Sequence, residues 1–303
     1  MITTYEIILK NILIYINKII RDICVNKKSE PIYYMTTVHL SDIMAGEIPE
    51  PQELHEFLVP ETVWSTYVKA KSGEAESQYA MYFIYRYGRG VDVDPVQSAA
   101  WCVKSAEQGY ADAQTALGLL YNNGEGVPQS CEKAVEWFTK AAEQGDVYAM
   151  DNLAAAYYYG DGTARNAKEA ERWWTEAAEK GHTDSQIKLA NMLYLGEITD
   201  RDVPKAVKWF KAAAERHSEE AMRMLGKIYR EGDGVEKDSA EAMKWFVSLG
   251  KEGDGEALYI VGCMYLEGEG TEKDRDSAIQ WLRLAAEYDY GPATEKLMEL
   301  GEE

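Results

Sequence analysis

A tryptophan recurs at a fixed interval through most of the chain. The interval is 36 residues each time, and it joins six residues: Trp101, Trp137, Trp173, Trp209, Trp245 and Trp281. A period of about 20 to 50 residues is typical of repeat proteins, in which each unit buries its apolar face only against its neighbours. The spacing therefore restricts the chain to a stack of similar units before any local structure is considered.

Other residue types recur in the same register. The second half of each unit carries the pattern A-x-x-W-[FW]-x-x-A-A, and the first half places apolar residues at i, i+4, i+5 and i+8, so each half predicts one amphipathic helix. Glycine ends a helix well because it adopts the left-handed conformation without a Cβ penalty. The recurring columns include Ala113, Ala149, Ser185, Ala221 and Ala257; Leu117, Leu153, Leu189, Leu225 and Val261; and Gly124, Gly160, Gly196, Gly232 and Gly268.

The unit at 109–144 carries a family resemblance. It reads G-Y-A-D-A-Q-T-A-L-G-L-L-Y-N-N-G-E-G-V and then E-K-A-V-E-W-F-T-K-A-A-E-Q, which resembles the Sel-one-like repeat of the tetratricopeptide superfamily. The resemblance implies an all-α, right-handed superhelical solenoid of antiparallel helix pairs. It also implies a non-enzymatic scaffold or adaptor, because the concave groove of that superfamily binds peptides. The departures from the pattern are local and fall at Tyr82, Ile198 and Leu249-Gly250.

The repeats divide the chain into four parts. Residues 73–288 form six repeats, and 289–303 form a C-terminal capping helix. Residues 35–72 form a linker and an N-terminal capping helix, in which Trp64 stands nine residues before Gly73 instead of eight and so predicts one inserted residue. Residues 1–34 form an atypical arm, with ten isoleucines and no alanine or glycine. We expect this arm to lie outside the solenoid.

The arm at 1–34 raises the question of targeting. Its longest apolar run, Ile12 to Ile16, is far shorter than the roughly 20 residues that a membrane-spanning helix needs. Lys10 and Lys18 interrupt the segment, and no small-residue cleavage site follows, which disfavours a signal peptide. Membrane contact through a surface helix is the weaker alternative. A docked or disordered arm, or a true start at Met35, are the others.

Charge and cysteine content limit the partners and the compartment. The chain has 52 acidic and 32 basic side chains, for a net charge of -20, which would repel nucleic acid. Its four cysteines are scattered and form no C-x-x-C pair, so we expect a reducing compartment and a cytoplasmic location. An exported or membrane-surface member of the family, acting on an envelope or host partner, is the alternative.

No motif in the sequence carries catalytic chemistry. The four histidines form no metal-binding pair, and the G-x-G tracts follow helices and lack G-K-[ST]. The acidic loops, such as Glu267-Gly268-Glu269-Gly270, lack the alternating carboxylates of a calcium loop and are expected to be solvated helix caps. The sequence therefore predicts no catalytic residue, cofactor or metal. A hydrolase, as proposed for some cysteine-rich relatives, is a third and weaker hypothesis.

The candidate binding residues lie on the first helix of each unit, opposite the buried stripe. We expect a protein or peptide segment as the partner, with tyrosines as contacts and Arg223, Lys227 and Arg230 holding an acidic stretch. Two alternatives stay open: the tyrosines stack on one another, and the cations pair with Glu220 and Glu256. The candidates are Tyr79, Phe83, Arg86, Tyr87, Asn122, Tyr148, Tyr158, Tyr159, Asn191, Tyr194, Arg223, Lys227, Arg230 and Tyr259.

Overall fold

The computed structural model describes residues 61–196 and 200–302. These residues form fourteen α-helices and no β-strand, in two compact units that divide after Ser130. The arm at 1–34, most of the segment at 35–72, Ile198, His39 and His55 lie outside the described residues, so the expectations about them remain predictions.

The described residues of unit 1 form four helices, and those of unit 2 form ten. In each unit, every helix packs against the next one along the chain. The helices of unit 1 are α1 (Glu61–Lys71), α2 (Ala75–Tyr87), α3 (Pro95–Glu107) and α4 (Ala111–Asn123). Those of unit 2 are α5 (Cys131–Glu143), α6 (Val147–Tyr159), α7 (Ala167–Glu179), α8 (Thr183–Leu195), α9 (Val203–Ala214), α10 (Glu219–Glu231), α11 (Ser239–Lys251), α12 (Gly255–Glu267), α13 (Arg275–Glu287) and α14 (Gly291–Glu299).

Each repeat is a pair of helices, the A helix first and the B helix second. The A helices are the even-numbered α2 to α12, and the B helices are the odd-numbered α3 to α13. The A helices end at left-handed glycines, as predicted; Gly232, for example, has φ 71° and donates its N–H to the carbonyl of Ile228. Two residues that replace the glycine after a B helix, His217 and Asp289, also adopt positive φ.

Five of the six B helices begin at a capping aspartate or asparagine, a position outside the recurring columns of the sequence. An aspartate or asparagine stands seven residues before the periodic tryptophan, and its side-chain oxygen accepts a backbone N–H of the first helical turn. The capping residues are Asp94, Asn166, Asp202, Asp238 and Asp274. Such caps typically stabilise a helix by about 1 kcal/mol.

The residue after the periodic tryptophan is deeply buried in every B helix. This position has different side chains from repeat to repeat, yet every one of them is at most 3% exposed: Cys102, Phe138, Trp174, Phe210, Phe246 and Leu282. Trp101, Trp173 and Trp209 are buried, whereas Trp137, Trp245 and Trp281 are only half-buried. The residue that reveals the period therefore lies nearer the edge of the core than its neighbour does.

Large side chains on the B helices pack against small residues on the A helices. A Cβ atom added to Gly226 would lie 2.7 Å from the ring of Phe246, and one added to Gly262 would lie 2.9 Å from Leu282. In the first repeat the large side chain is on the A helix and the small one on the B helix: these are Tyr82 and Cys102, and both are buried. Tyr82, a departure from the repeat pattern, is thus explained by conserved volume.

Helix α1 ends in the same register as the B helices. The N–H of Gly73 bonds to Ala70, as the N–H of Gly109 bonds to Ala106. Gly73 and Gly109 are one period of 36 residues apart, so the residue of α1 that corresponds to Trp101 is Ser65 and not Trp64. Because α1 is a continuous helix, Trp64 is displaced by one helical position, and no extra residue is inserted in 61–71.

The difference in burial between Phe246 and Trp245 predicts which of them matters more. We expect Phe246→Ala to cost about 3 to 5 kcal/mol of unfolding free energy, because it leaves a cavity against Gly226. Trp245→Ala is expected to cost at least about 1 kcal/mol less, since the indole is half-exposed and its buried N–H has no acceptor among the described residues.

Urea unfolding followed by far-ultraviolet circular dichroism measures both variants without depending on tryptophan fluorescence. An equal or larger loss for Trp245→Ala would place the periodic tryptophan at the centre of the core.

Candidate functional site

Two tyrosines on α6 are left largely in solvent. Tyr148, in the first turn, is 63% exposed, and its ring meets the edge of His182 at 5.1 Å between centroids. Tyr159, the last residue of the helix, is 69% exposed. On the next A helix of unit 2, Leu195 is 54% exposed. These are the large apolar side chains that the predicted binding face of unit 2 presents to water.

Tyr158 differs from its neighbour Tyr159. Its ring lies 5.3 Å from Trp174 and 4.9 Å from Tyr159, and Arg165 donates to its backbone carbonyl. The side chain is half-buried. Tyr158 therefore packs against α7, as the stacking alternative expects, whereas Tyr159 lies beside it largely in solvent.

The aromatic residues of α2 in unit 1 mostly pack on one another. Tyr79 contacts Phe83 at 4.9 Å, Tyr110 at 5.4 Å and Tyr82 at 5.6 Å between centroids. Burial raises the pKa of Tyr79 well above its usual value. Tyr87, which is 57% exposed, is the member of this group that faces solvent. Stacking thus accounts for Tyr79 and Phe83 among the predicted binding residues of unit 1.

The candidate cations are mostly engaged within the protein. Arg223 forms a salt bridge with Asp254, and Arg230 forms one with Glu269 at 2.8 Å. The predicted partners, Glu220 and Glu256, are not the ones used. Lys227 is exposed, and no ion pair of it is present in 131–196 or 200–302. In unit 1, Arg86 pairs with Glu125 at 2.8 Å.

The remaining candidates make contacts of several kinds. Asn191 donates to Glu220 at 2.9 Å, and the Tyr194 hydroxyl donates to Asp233 at 2.7 Å. Tyr259 stacks on Tyr290 at 5.4 Å between centroids. Asn122 is exposed, and its backbone carbonyl accepts a hydrogen bond from Gln129. The fourteen candidates thus divide into a majority that holds the protein together and a minority that is available to a partner.

Three of these contacts are the same tie between successive repeats. A side chain in the last turn of an A helix reaches an acidic residue 39 positions later, between the two loop glycines of the next repeat. The pairs are Arg86 with Glu125, Tyr194 with Asp233, and Arg230 with Glu269. The prediction that these acidic loops are solvated caps is therefore wrong for their middle residue.

The ties change the acidity of the loop carboxylates. Asp233 also accepts a hydrogen bond from Arg201 at 2.6 Å, and this bond and that from Tyr194 lower its pKa. Burial raises the pKa of Glu269, but hydrogen bonds and charges from Arg230 and Lys237 outweigh it and hold the pKa below its usual value. Both carboxylates are thus stabilised in the ionised form.

Asp151, Ser185 and His182 have the residue types of a catalytic triad in a different arrangement. Ser185 lies between the other two: its hydroxyl donates to Asp151 at 2.9 Å and is 2.8 Å from Nδ1 of His182. In a hydrolase the histidine lies between serine and aspartate and takes the serine proton. Ser185 is fully buried, so the group is a structural network.

Asp151 is the centre of this network. It also accepts from the indole N–H of Trp174 at 3.0 Å and from Lys188 at 2.6 Å. Trp174 stands where three of the other repeats have phenylalanine, and its buried N–H needs an acceptor. A comparison of repeat positions 151 and 174 could have revealed this pair, because the unusual aspartate and the unusual tryptophan occur together.

Two further observations concern other kinds of site. No group of three or more histidine, cysteine, aspartate or glutamate side chains in the described part of the chain could hold a metal ion. None of the helices in 61–196 and 200–302 has the length and apolar character needed to cross a bilayer.

The repeats match a known family model. The model of the Sel1 repeat matches residues 73–110, 111–146, 147–182, 183–218, 219–254 and 255–287. The chain belongs to the Sel1 repeat family. This confirms the family resemblance noted in the sequence. A search of curated proteins found no match to the chain.

Two solved structures support the fold class. The chain is 32% identical to c5321, a protective antigen of uropathogenic Escherichia coli strains with an SLR fold, with a TM-score of 0.71 over 79% of this chain and 52% of that one. It thus spans about half the length of that protein. A Sel1 repeat protein from Oxalobacter formigenes is also 32% identical, with a TM-score of 0.61 over 76% and 67% of the two chains.

These two structures have the all-α solenoid fold that the sequence predicts, so the predicted fold class is confirmed. Sel1 repeats form a non-catalytic scaffold fold, and proteins of the family generally act by binding other proteins.

The ties predict a pH dependence of stability. Because the pKa of Glu269 is lowered in the folded protein, the tie stabilises the fold above about pH 4.5 and loses its effect as the pH falls through the folded-state pKa. We expect Glu269→Gln to cost about 0.5 to 1 kcal/mol at pH 7 and less at pH 3.

Urea unfolding at both pH values measures this difference. The matched control is Glu272→Gln, a change of an exposed residue in the same Sel1 repeat loop with no ion pair among the described residues. A cost of Glu269→Gln that stayed constant with pH would show that the tie is not electrostatic.

Proposed function

We propose that this protein is a non-enzymatic scaffold that binds a segment of a partner protein along the A helices of unit 2. The observation that carries the proposal is the exposure of Tyr148 and Tyr159, while other aromatic residues predicted on the same faces are packed. Large apolar side chains in solvent are characteristic of interaction surfaces when they occur together. Membership of a family that generally binds proteins supports the same function.

The two tyrosines are well placed to act as anchors. They lie at opposite ends of α6, eleven residues apart, which corresponds to about 16 Å along the helix axis. Tyrosine gives a large contact area and a polar tip at low conformational cost, so it is common among residues that dominate binding energy. A partner segment that runs along the length of α6 can therefore contact both anchors.

We place the protein in the cytoplasm. Cys102, Cys131 and Cys263 are free thiols, which suits a reducing compartment. The likeness to c5321, a protective antigen, favours the alternative of an exported protein acting on an envelope or host partner. Sequencing the N-terminus of the protein from its native cell separates the two: loss of roughly the first 30 residues indicates export.

Single substitutions at the anchors test the binding face. We expect Tyr148→Ala and Tyr159→Ala each to weaken binding of the partner, purified by affinity from native cells, by about 1 to 2 kcal/mol. The unfolding free energy should change little, because both side chains are exposed. Isothermal titration calorimetry and urea unfolding provide the two measurements.

Tyr288→Ala is the matched control. Tyr288 lies in the same unit, is 52% exposed and stands at the end of α13, a B helix. Normal binding by both anchor variants, together with a loss in Tyr288→Ala, would move the binding surface to the B helices.

A further inference from the structure

The last residues of the four A helices in unit 2 form a row of exposed positions. These residues are Tyr159, Leu195, Glu231 and Glu267, and we call them the terminal row. A left-handed glycine follows each one and ends the helix. All four side chains are exposed, so the row presents two apolar residues on successive repeats and then two carboxylates on the next two.

Helix stability does not explain the carboxylates of the row. The C-terminal end of a helix carries a partial negative charge, so glutamate is unfavourable there. Asp184, Glu220 and Glu256 differ in this respect, because they lie in the first helical turn, where the same dipole favours a negative charge. Glu231 and Glu267 therefore lie at helix ends that disfavour them.

Ion pairing does not explain them either. Neither Glu231 nor Glu267 forms a salt bridge within the described part of unit 2. Arg230 and Lys237, which are close to them in sequence, both bind Glu269. Lys227 and Lys273 are also nearby in sequence, but they are not within salt-bridge distance of either glutamate. The negative charge of the row is thus available to a partner.

The spacing of the row defines the form of an occupant. Side chains of an A helix in unit 2 reach the N-terminal end of the next A helix, as Tyr148 does with His182, Asn191 with Glu220 and Arg223 with Asp254. Packed helices lie about 8 to 10 Å apart, and an extended chain advances about 3.3 Å per residue. Every third residue of an extended segment therefore meets the next helix.

Resting on the proposed function, we infer that the terminal row binds an extended basic segment of a partner protein. Two apolar side chains, three residues apart, contact Tyr159 and Leu195. Two arginines or lysines with the same spacing bind Glu231 and Glu267, and arginine is favoured because it can bind a carboxylate through two hydrogen bonds. The charge of the partner is thus opposite to the acidic stretch predicted from Arg223, Lys227 and Arg230.

Synthetic peptides test this inference with the full-length protein. The first is a twelve-residue peptide with leucine at its first and fourth positions, arginine at its seventh and tenth, and serine or glycine elsewhere; the second has the reverse order. The third has the composition of the first, with leucine and arginine at scrambled positions. The fourth has glutamate in place of arginine. Fluorescence anisotropy measures their affinities.

We expect one of the two ordered peptides to bind at least tenfold more tightly than the scrambled and glutamate peptides. Glu231→Lys combined with Glu267→Lys should reduce that affinity at least tenfold. The matched reversal, Glu220→Lys combined with Glu256→Lys, changes the charge equally but should reduce affinity less than threefold. Circular dichroism confirms that both double variants remain folded.

Three results would overturn the inference. The terminal row does not recognise a basic segment if the scrambled peptide binds as tightly as the ordered ones. The same conclusion follows if Glu231→Lys combined with Glu267→Lys leaves the affinity unchanged. Tighter binding of the glutamate peptide that is lost in Tyr159→Ala would also refute the basic partner while leaving the proposed function intact. Native-partner binding that is insensitive to both Tyr148→Ala and Tyr159→Ala would remove the proposed function itself.

Discussion

Contacts between a large B-helix side chain and a small A-helix residue hold repeats of unit 2 together. Phe246 lies so close to Gly226 that a single added methyl group would have to displace the ring. Because the two helices approach at this point, the rest of the A helix is fixed in its angle and rotation. The opposite face of the A helix, with its exposed tyrosines, is positioned by the same contact.

The sequence predicted the helices and their pairing well, because both depend on periodic patterns. Glycine caps and apolar stripes are local signals, and they repeat six times. The order of burial was harder to predict. Trp245 recurs with the period but is half-exposed, whereas Phe246 is deeply buried. A pattern shows which positions are constrained, and depth within the core depends on the geometry of two helices in contact.

The binding face was only partly predictable, for a related reason. Helical spacing places Tyr158 and Tyr159 on the same predicted surface, but Trp174 packs on the first, and the second stays mostly exposed. Likewise, Arg223 and Arg230 appeared to form a basic stripe, and their partners lie more than 30 residues away. Such contacts depend on the side chains of a neighbouring repeat, which no pattern within one repeat reveals.

The ties between repeats have a consequence for how such an array can change its length. Each tie joins residues 39 positions apart, which is one period plus three residues. If one whole repeat were removed in register, Tyr194 would face Glu269 in place of Asp233, and its hydroxyl would again have a carboxylate acceptor. Gene duplication and loss of single repeats can therefore preserve these ties, because each of the three acidic residues is an acceptor for whichever repeat comes to precede it.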